Sequence, residues 1–210
     1  MPISLRGSIV AAVAAAFVGG LGFAAARLQR PSIRNVEEHV LREYAGVYRW
    51  APDAFVYLQM WTELGNQLVA FDESGELRTL YPTGPAGRDE FFVGPGAAVS
   101  SSVEARVAFR RDEANRIVSL TWTADGRPVR TAERVDIERH EPVRFDGTAG
   151  TLAGTLIRPT TGGPHPAIIL VHWSGAANRE GALPFVRFLV RHGIAVLGYD
   201  KRGVGESGGN

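Results

Sequence analysis

A glycine-rich run at residues 203–209 contains the serine whose surroundings most resemble a reactive site. Residues 205–209, Gly-Glu-Ser-Gly-Gly, fit the G-x-S-x-G pattern of a serine nucleophile on a strand-to-helix turn. The first six residues of the run also fit the G-x-G-x-x-G pattern of a dinucleotide-binding turn. Both patterns need a strand that ends directly at the first glycine. Several polar residues separate the apolar run 194–198 from Gly205, so we expect a loop in which the Ser207 hydroxyl bonds to nearby backbone.

The composition of the chain excludes several classes of site. The sequence has five histidines and no cysteine, so thiol chemistry, zinc–thiolate sites and disulfides are excluded. No group of His, Asp and Glu shows metal-ligand spacing such as H-E-x-x-H, and we expect neither a metal nor another cofactor. The net charge is +1 and the basic residues are spread along the chain, which indicates no nucleic-acid partner.

The residues before the glycine-rich run predict a β-α-β unit. Residues 167–171, Ala-Ile-Ile-Leu-Val, form a continuous apolar run that is typical of a strand in a buried parallel sheet. Residues 183–190 have apolar side chains at helical spacing, and a second apolar strand begins at Ile194. Upstream, the segments 142–145 and 151–158 flank a turn, which predicts an antiparallel hairpin.

From about Val143 onward, the chain resembles the α/β-hydrolases. The resemblance depends on His172-Trp173-Ser174-Gly175 after the first strand and on the D-x-R-G-x-G-x-S loop at residues 200–207, and it is closest to the serine aminopeptidase and dienelactone-hydrolase-like branch. It implies an α/β fold that hydrolyses ester, amide or peptide bonds through an acyl-enzyme. In that family the catalytic triad follows this loop, so the resemblance implies an amino-terminal portion that has no triad residue and is inactive by itself.

The resemblance also implies a role for Ser174 and Trp173. In the family, a backbone N–H in the loop after the first strand helps to hold the negative oxygen of the tetrahedral intermediate. Ser174 is the matching donor. Trp173 stands where the family has glycine, and it either shapes the acyl pocket or oxyanion loop or covers the top of the sheet.

Residues 47–135 predict a small antiparallel β-barrel or sandwich. Residues 103–110 and 118–123 alternate between apolar and polar side chains, which indicates one buried and one exposed face. A helix is expected before them, with Asn35 and Glu38 as a capping box. The segments Leu-Arg-Glu-Tyr-Ala-Gly-Val-Tyr, Leu-Val-Ala-Phe-Asp and Leu-Tyr-Pro resemble small lipocalin-like domains attached to bacterial serine hydrolases. Four aromatic residues either fill the core or line a ligand cavity: Trp50, Phe55, Tyr57 and Trp61.

The amino-terminal segment predicts export. Arg6 precedes an uncharged stretch, residues 7–26, that ends in Ala-Ala-Ala, as in a secretory signal. The stretch is also just long enough to span a bilayer, so it is a signal peptide or a signal anchor. We therefore expect a secreted or periplasmic protein, or one anchored to the membrane and facing the periplasm.

These patterns predict an α/β fold, an incomplete α/β-hydrolase sheet with a β-α-β unit, preceded by a small β-domain. The expected divisions are a signal segment, a linker, the β-domain with its helix and a truncated hydrolase portion: residues 1–26, 27–34, 35–137 and 141–210. A charged join at residues 138–141 connects the last two.

Two functions remain open at this point. The first is the amino-terminal portion of a secreted or envelope serine hydrolase, whose full-length form would act on a small-molecule or peptide substrate. The second is a non-enzymatic envelope protein in which the β-domain binds an apolar ligand or a partner and the hydrolase portion is a relic.

Overall fold

The computed structural model describes residues 32–61, 65–72, 74–84, 89–148 and 150–209. The predicted signal segment and most of the predicted linker lie outside these residues, so the export prediction stays a prediction. No helix in the described ranges is long and apolar enough to cross a bilayer.

The described part of the chain is built mainly from strands, with two short α-helices and one 3₁₀ turn. The strands are β1 (Ser32–Ile33), β2 (Gly46–Ala51), β3 (Ala54–Trp61), β4 (Gln67–Asp72), β5 (Leu77–Gly84), β6 (Glu90–Val93), β7 (Ala105–Arg111), β8 (Ile117–Ala124), β9 (Arg130–Val135), β10 (Glu138–Gly147), β11 (Gly150–Pro159), β12 (Ala167–Ile169) and β13 (Ala195–Tyr199). The helices are α1 (Glu38–Arg42) and α2 (Leu183–Arg191), and the 3₁₀ turn is Arg179–Ala182.

Strands β2 to β9 form a closed antiparallel barrel of eight strands. Each strand pairs with the next one along the chain, and β9 pairs back with β2 to complete the ring. Strand β1 pairs with the last two residues of β5, Thr83 and Gly84. Closure leaves no free sheet edge around the ring, which is how small all-β proteins satisfy their backbone hydrogen bonds.

The predicted alternation of side chains around residues 105–110 is confirmed in β7. Ala105, Val107 and Phe109 are buried inside the barrel, whereas Arg106 and Arg110 are exposed. In β7 the period of two therefore places the apolar side chains in the barrel interior. That interior is a packed core of aromatic and aliphatic side chains.

One end of the barrel is closed by α1 and a cluster of four aromatic rings. Tyr44, at the end of α1, has its ring centroid 4.8 Å from both Phe91 and Phe109, and Tyr48 lies 6.0 Å from Phe109. The Tyr48 hydroxyl donates a hydrogen bond of 2.8 Å to the carbonyl of Tyr44, and burial raises the pKa of Tyr48. We call this the closed end.

The predicted capping box is wrong. The helix begins at Glu38, with Glu37 at its amino-terminal cap and no side-chain capping bond. The N–H of Arg34 instead donates to the carbonyl of Pro82 and continues the pairing of β1 with β5. Strand pairing therefore keeps the chain extended through the residues where the sequence favoured a helix start.

The remaining residues form a second sheet with strand order β10-β11-β13-β12. The hairpin of β10 and β11 and the parallel pairing of β12 with β13 are both confirmed. Helix α2 connects the parallel pair and packs Val186 and Val190 against Ile157 and Val196. The pairing of β11 with β13 is antiparallel, so the sheet is mixed.

The predicted fold class, an α/β fold with a small preceding β-domain, is wrong. Strands account for 51% of the structure and helices for 9%, and the closed barrel is its main body. The β-α-β pattern is real, but it is local and contributes one parallel pair of strands. Most of the buried apolar residues belong to the barrel strands, and this decides the class.

A buried guanidinium joins the barrel to the second sheet. Arg187, on α2, is 6% exposed. Its Nη1 donates to the carbonyl of Leu58 on β3 at 2.6 Å, and its Nε donates to Glu138 Oε1 at 3.3 Å. The His140 Nε2 lies 3.1 Å from the same carboxylate oxygen. Glu138, in the predicted charged join, is therefore part of a packed contact.

Replacing Arg187 with methionine should destabilise the chain by about 3–5 kcal/mol, because the Glu138 carboxylate then stays buried without its partner. The double replacement Arg187→Met with Glu138→Met should recover most of this loss. Urea unfolding measures both values. The exposed Arg139 on β10 provides the control, since Arg139→Met should change stability by less than about 0.5 kcal/mol. If Arg187→Met and the control Arg139→Met changed the unfolding free energy equally, the buried pair of Arg187 and Glu138 would be contradicted.

Stability should also depend on the ionisation of Glu138. Burial alone would raise the pKa of Glu138, but the hydrogen bond with His140 and the charge of Arg187 outweigh burial and hold this pKa below its ordinary value. A carboxyl with a lowered folded-state pKa stabilises the fold above its unfolded pKa and loses that contribution as pH falls through the folded value. The unfolding free energy of Glu138→Gln should therefore fall less steeply than that of the wild type as pH drops below the ordinary glutamate pKa, about 4.3. The exposed Glu133→Gln should retain the wild-type slope.

Candidate functional site

The Ser207 hydroxyl is buried and bonded to the backbone. It donates to the carbonyl of Asp200 at 2.7 Å and accepts from the N–H of Ala153 at 2.9 Å. The Asp200 carboxylate accepts from the N–H groups of Arg179 and Glu206, each at 3.0 Å. The loop interpretation of the glycine-rich run is confirmed, because this hydroxyl holds the loop to β11.

Gly205 explains the glycine content of this loop. Its φ is +56°, a left-handed conformation that favours glycine. A Cβ on Gly205 would lie 2.4 Å from Asp200 Oδ2, so no other residue fits against that carboxylate. The motif is therefore a structural turn around Asp200.

Trp173 and Ser174 lie in the loop after β12, on the surface. Trp173 is 53% exposed, and Ser174 is exposed in a bend. The loop is tied to the loop after β13, since the Lys201 Nζ donates to the carbonyl of Gly175 at 2.8 Å. The structure places both residues side by side but brings neither into contact with Ser207. Their predicted roles in an oxyanion hole or acyl pocket stay predictions.

The end of the barrel opposite α1 is open, whereas the closed end is filled by the four aromatic rings described above. Three alanines, Ala70, Ala105 and Ala124, line the open end beside larger side chains. The space there is a cup of about 440 Å³, which we call the mouth cup. The loops between β2 and β3, β4 and β5, β6 and β7, and β8 and β9 surround it.

Two tryptophans and an arginine form one wall of the mouth cup. The Trp50 and Trp122 rings meet edge to face, with centroids 6.3 Å apart. The guanidinium carbon of Arg130 lies 4.2 Å from the centroid of Trp50, which is within the range of a cation–π contact. Trp122 and Arg130 lie opposite each other in the pairing of β8 with β9, and barrel closure places Trp50 of β2 beside them.

The charges on the rim of the mouth cup differ in how they are paired. Arg78 Nε donates to Glu104 at 2.7 Å and its Nη2 donates to Glu76 at 2.7 Å. Within the described part of the chain, the side chains of Arg127 and Arg130 form no ion pair, although both line the cup. The cup therefore has one paired arginine, Arg78, and two arginines, Arg127 and Arg130, that form no ion pair with a described carboxylate.

Of the four aromatic residues that the sequence offered as core or cavity liners, only Trp50 lines the cup. Phe55 and Tyr57 face outward from β3 and pack in a buried cluster outside the barrel with Val47 and Phe71. Trp61 is at the far end of β3 from the mouth. Trp122 and Arg130 were missed as residues that line the cup. Each lies two positions from a buried interior residue of its own strand, Leu120 in β8 and Ala132 in β9, and this spacing places them on the inward face.

A larger hollow of about 790 Å³ lies beside the closed end, but its charged groups already bind one another. Arg111 contacts Glu43 at 2.8 Å and Asp89 at 2.9 Å. Arg134 donates to the carbonyls of Glu43 and Ala45. We therefore take the smaller mouth cup as the candidate site. In the described residues, no group of three or more His, Asp and Glu side chains could hold a metal ion.

Removing the Ser207 hydroxyl should destabilise the chain by about 1–3 kcal/mol, because Ser207→Ala leaves the buried N–H of Ala153 without its acceptor. Thermal and urea unfolding measure the change. Ser174→Ala is the matched control, since that hydroxyl is exposed, and its effect should stay within about 0.5 kcal/mol. A Ser207→Ala protein as stable as the control would contradict the structural role of this serine.

Comparison of the chain with models of protein families, with curated proteins and with solved structures found no match. The resemblance to the α/β-hydrolases, with its attached lipocalin-like domain, is therefore wrong: it depended on short motifs, and the mainly β architecture overturns it. The motif residues nevertheless have a physical explanation in the loop around Asp200.

Proposed function

We propose that the chain is a binding protein whose mouth cup takes a small organic monoanion with a planar apolar body. The observation that carries the proposal is the guanidinium of Arg130 over the Trp50 ring, at the edge of an open cup. A guanidinium that stacks through its face keeps its in-plane N–H donors available for a carboxylate or sulfonate.

The size and lining of the cup support a small ligand with an apolar body. Its volume of about 440 Å³ falls within the roughly 300–1,000 Å³ typical of small-molecule sites. Val56, Ala70 and Ala105 offer apolar contact, and the paired indoles of Trp50 and Trp122 offer flat surfaces for stacking. An aromatic carboxylate combines both requirements in one molecule.

The rim charges favour one negative charge over several. Arg127 and Arg130 attract an anion on one side of the cup. Four carboxylates also line it, and they would repel a second negative charge on the ligand: Asp72, Glu76, Glu104 and Asp125. A monoanion can lie beside the two arginines and keep its apolar body over the tryptophans.

The binding function develops the second of the two expectations drawn from the sequence. The first, a serine hydrolase, loses the α/β fold on which it was based. The uncharged stretch at residues 7–26 supports export of this binding protein to the periplasm or the exterior, either cleaved or anchored.

The wild-type chain should bind 2-naphthoate saturably in isothermal titration calorimetry, and Arg130→Gln should weaken the affinity at least tenfold. The physical reason is the loss of a charge-assisted hydrogen bond, which contributes roughly 1.5–3 kcal/mol, and 1.4 kcal/mol corresponds to about a factor of ten. The neutral 2-naphthamide should bind the two proteins with equal, weak affinity.

Arg106→Gln provides the matched control for this experiment. Arg106 is exposed on the outer face of β7, so its replacement should leave the affinity for 2-naphthoate unchanged. Equal affinity of wild type and Arg130→Gln for 2-naphthoate would contradict the proposed site. A loss of affinity in both arginine variants would indicate non-specific attraction of the anion.

A further inference from the structure

The second sheet has two edge strands, and the sequence protects them unequally. Strand β10, at one edge, carries five charged residues and a proline: Glu138, Arg139, Glu141, Pro142, Arg144 and Asp146. Charges and proline are the features by which edge strands resist pairing with another chain. Strand β12, at the other edge, is Ala-Ile-Ile, and the surrounding residues 159–178 include no Asp, Glu, Lys or Arg. The β12 edge therefore lacks the protection that β10 has.

Alternate backbone groups of β12 point away from the sheet. The N–H of Leu170 donates to the carbonyl of Leu197 on β13 at 3.0 Å, which continues the parallel pairing of the two strands. Because the backbone groups of successive residues in a strand point to opposite sides, those of Ala167 and Ile169 point away from β13. In the described part of the chain, β12 pairs with no strand other than β13. Its outer edge can therefore accept another strand.

The side chains along this edge are apolar and open to solvent. Ile169 is 61% exposed and Val171 is 78% exposed. They alternate with Ile168 and Leu170, which pack against the apolar cluster under α2, so they lie on the face of the sheet opposite that helix. An exposed apolar edge strand is a surface on which another strand can pair and bury side chains.

The residues of this edge are complementary to their own reversed sequence. If two copies pair antiparallel about a two-fold axis at Ile169, this residue lies opposite its equivalent in the other copy. Ala167 then lies opposite Val171, and Ile168 lies opposite Leu170, so every position faces an apolar side chain. Like charges that lie directly opposite each other would oppose such self-pairing, and this segment has none. These features favour a second copy of the chain as the occupant of the edge.

We propose that the chain forms a two-fold symmetric dimer by antiparallel pairing of β12 with β12 of a second copy, centred on Ile169. The pairing joins two four-stranded sheets into one continuous sheet. The outward backbone groups of Ala167, Ile169 and Val171 exchange hydrogen bonds across the axis. No residue of β12 lines the mouth cup, so the dimer is independent of the proposed binding function.

Sedimentation equilibrium of the full chain tests the proposal by a charge exchange at position 169. We expect wild type to dimerise at micromolar concentration. Ile169→Lys should raise the dimer dissociation constant at least about a hundredfold, because two ammonium groups then lie opposite each other. An equimolar mixture of Ile169→Lys and Ile169→Glu should restore a dimer that contains one copy of each variant. Val129→Lys is the matched control: Val129 is also 61% exposed but lies between β8 and β9, so the dissociation constant should not change.

Amide hydrogen exchange measures the backbone pairing directly. In wild type, the N–H of Ile169 should exchange more slowly as the protein concentration rises, whereas the residue 169 N–H of Ile169→Lys should exchange fast at every concentration. The N–H of Leu170 should stay protected in both proteins, since it donates to Leu197 within one copy, and this protection shows that β12 remains folded. Three results would each overturn the proposal: a wild-type chain that stays monomeric up to millimolar concentration, an Ile169→Lys protein that dimerises as tightly as wild type, or a mixture of the lysine and glutamate variants that does not associate.

Discussion

The burial of Arg187 is the constraint on which the arrangement of the two sheets depends. A guanidinium cannot be taken out of water unless a carboxylate and carbonyl groups receive its donors. Here the acceptors come from Glu138 and from the backbone of β3, so α2 must lie against the outside of the barrel. A second arginine on the same helix, Arg191, extends the contact: it donates to the carbonyl of Asp53 and lies over the Phe55 ring. The contacts of Arg187 and Arg191 thus determine where α2 packs against the outer face of the barrel.

Local patterns in the sequence predicted the local structure well. The alternation in β7, the hairpin of β10 and β11 and the parallel pair of β12 and β13 all follow from short-range periodicity. Over residues 47–135 the sequence left a barrel and a sandwich open, because ring closure by β9 with β2 is a pairing between segments about 90 residues apart in the chain. The fold class was wrong because the local β-α-β pattern was taken as the start of a larger α/β sheet. A period of two shows that a strand has a buried face, but it does not show which other strand completes the sheet.

The candidate site could not be predicted from the sequence, because its residues come together only through long-range strand pairing. Trp50 stood out as an aromatic residue, but its partners in the mouth cup belong to distant strands. The cup also depends on three alanines at the open end of the barrel, whereas tyrosine and phenylalanine rings fill the other end. The glycine-rich loop, which the sequence made most conspicuous, is instead explained by the packing of one buried carboxylate, Asp200.

The route of the chain through the barrel has an evolutionary consequence. Strand β2 begins and β9 finishes at the same rim, since Val47 pairs with Val135, and both covalent connections leave from there. The four hairpin loops around the mouth connect only adjacent barrel strands. Insertions and substitutions in three of these loops can therefore accumulate without disturbing the joint to the second sheet, whereas the β2–β3 loop contains Asp53, whose carbonyl accepts from Arg191 of α2. Ligand preference and scaffold integrity can diverge separately among descendants of this chain.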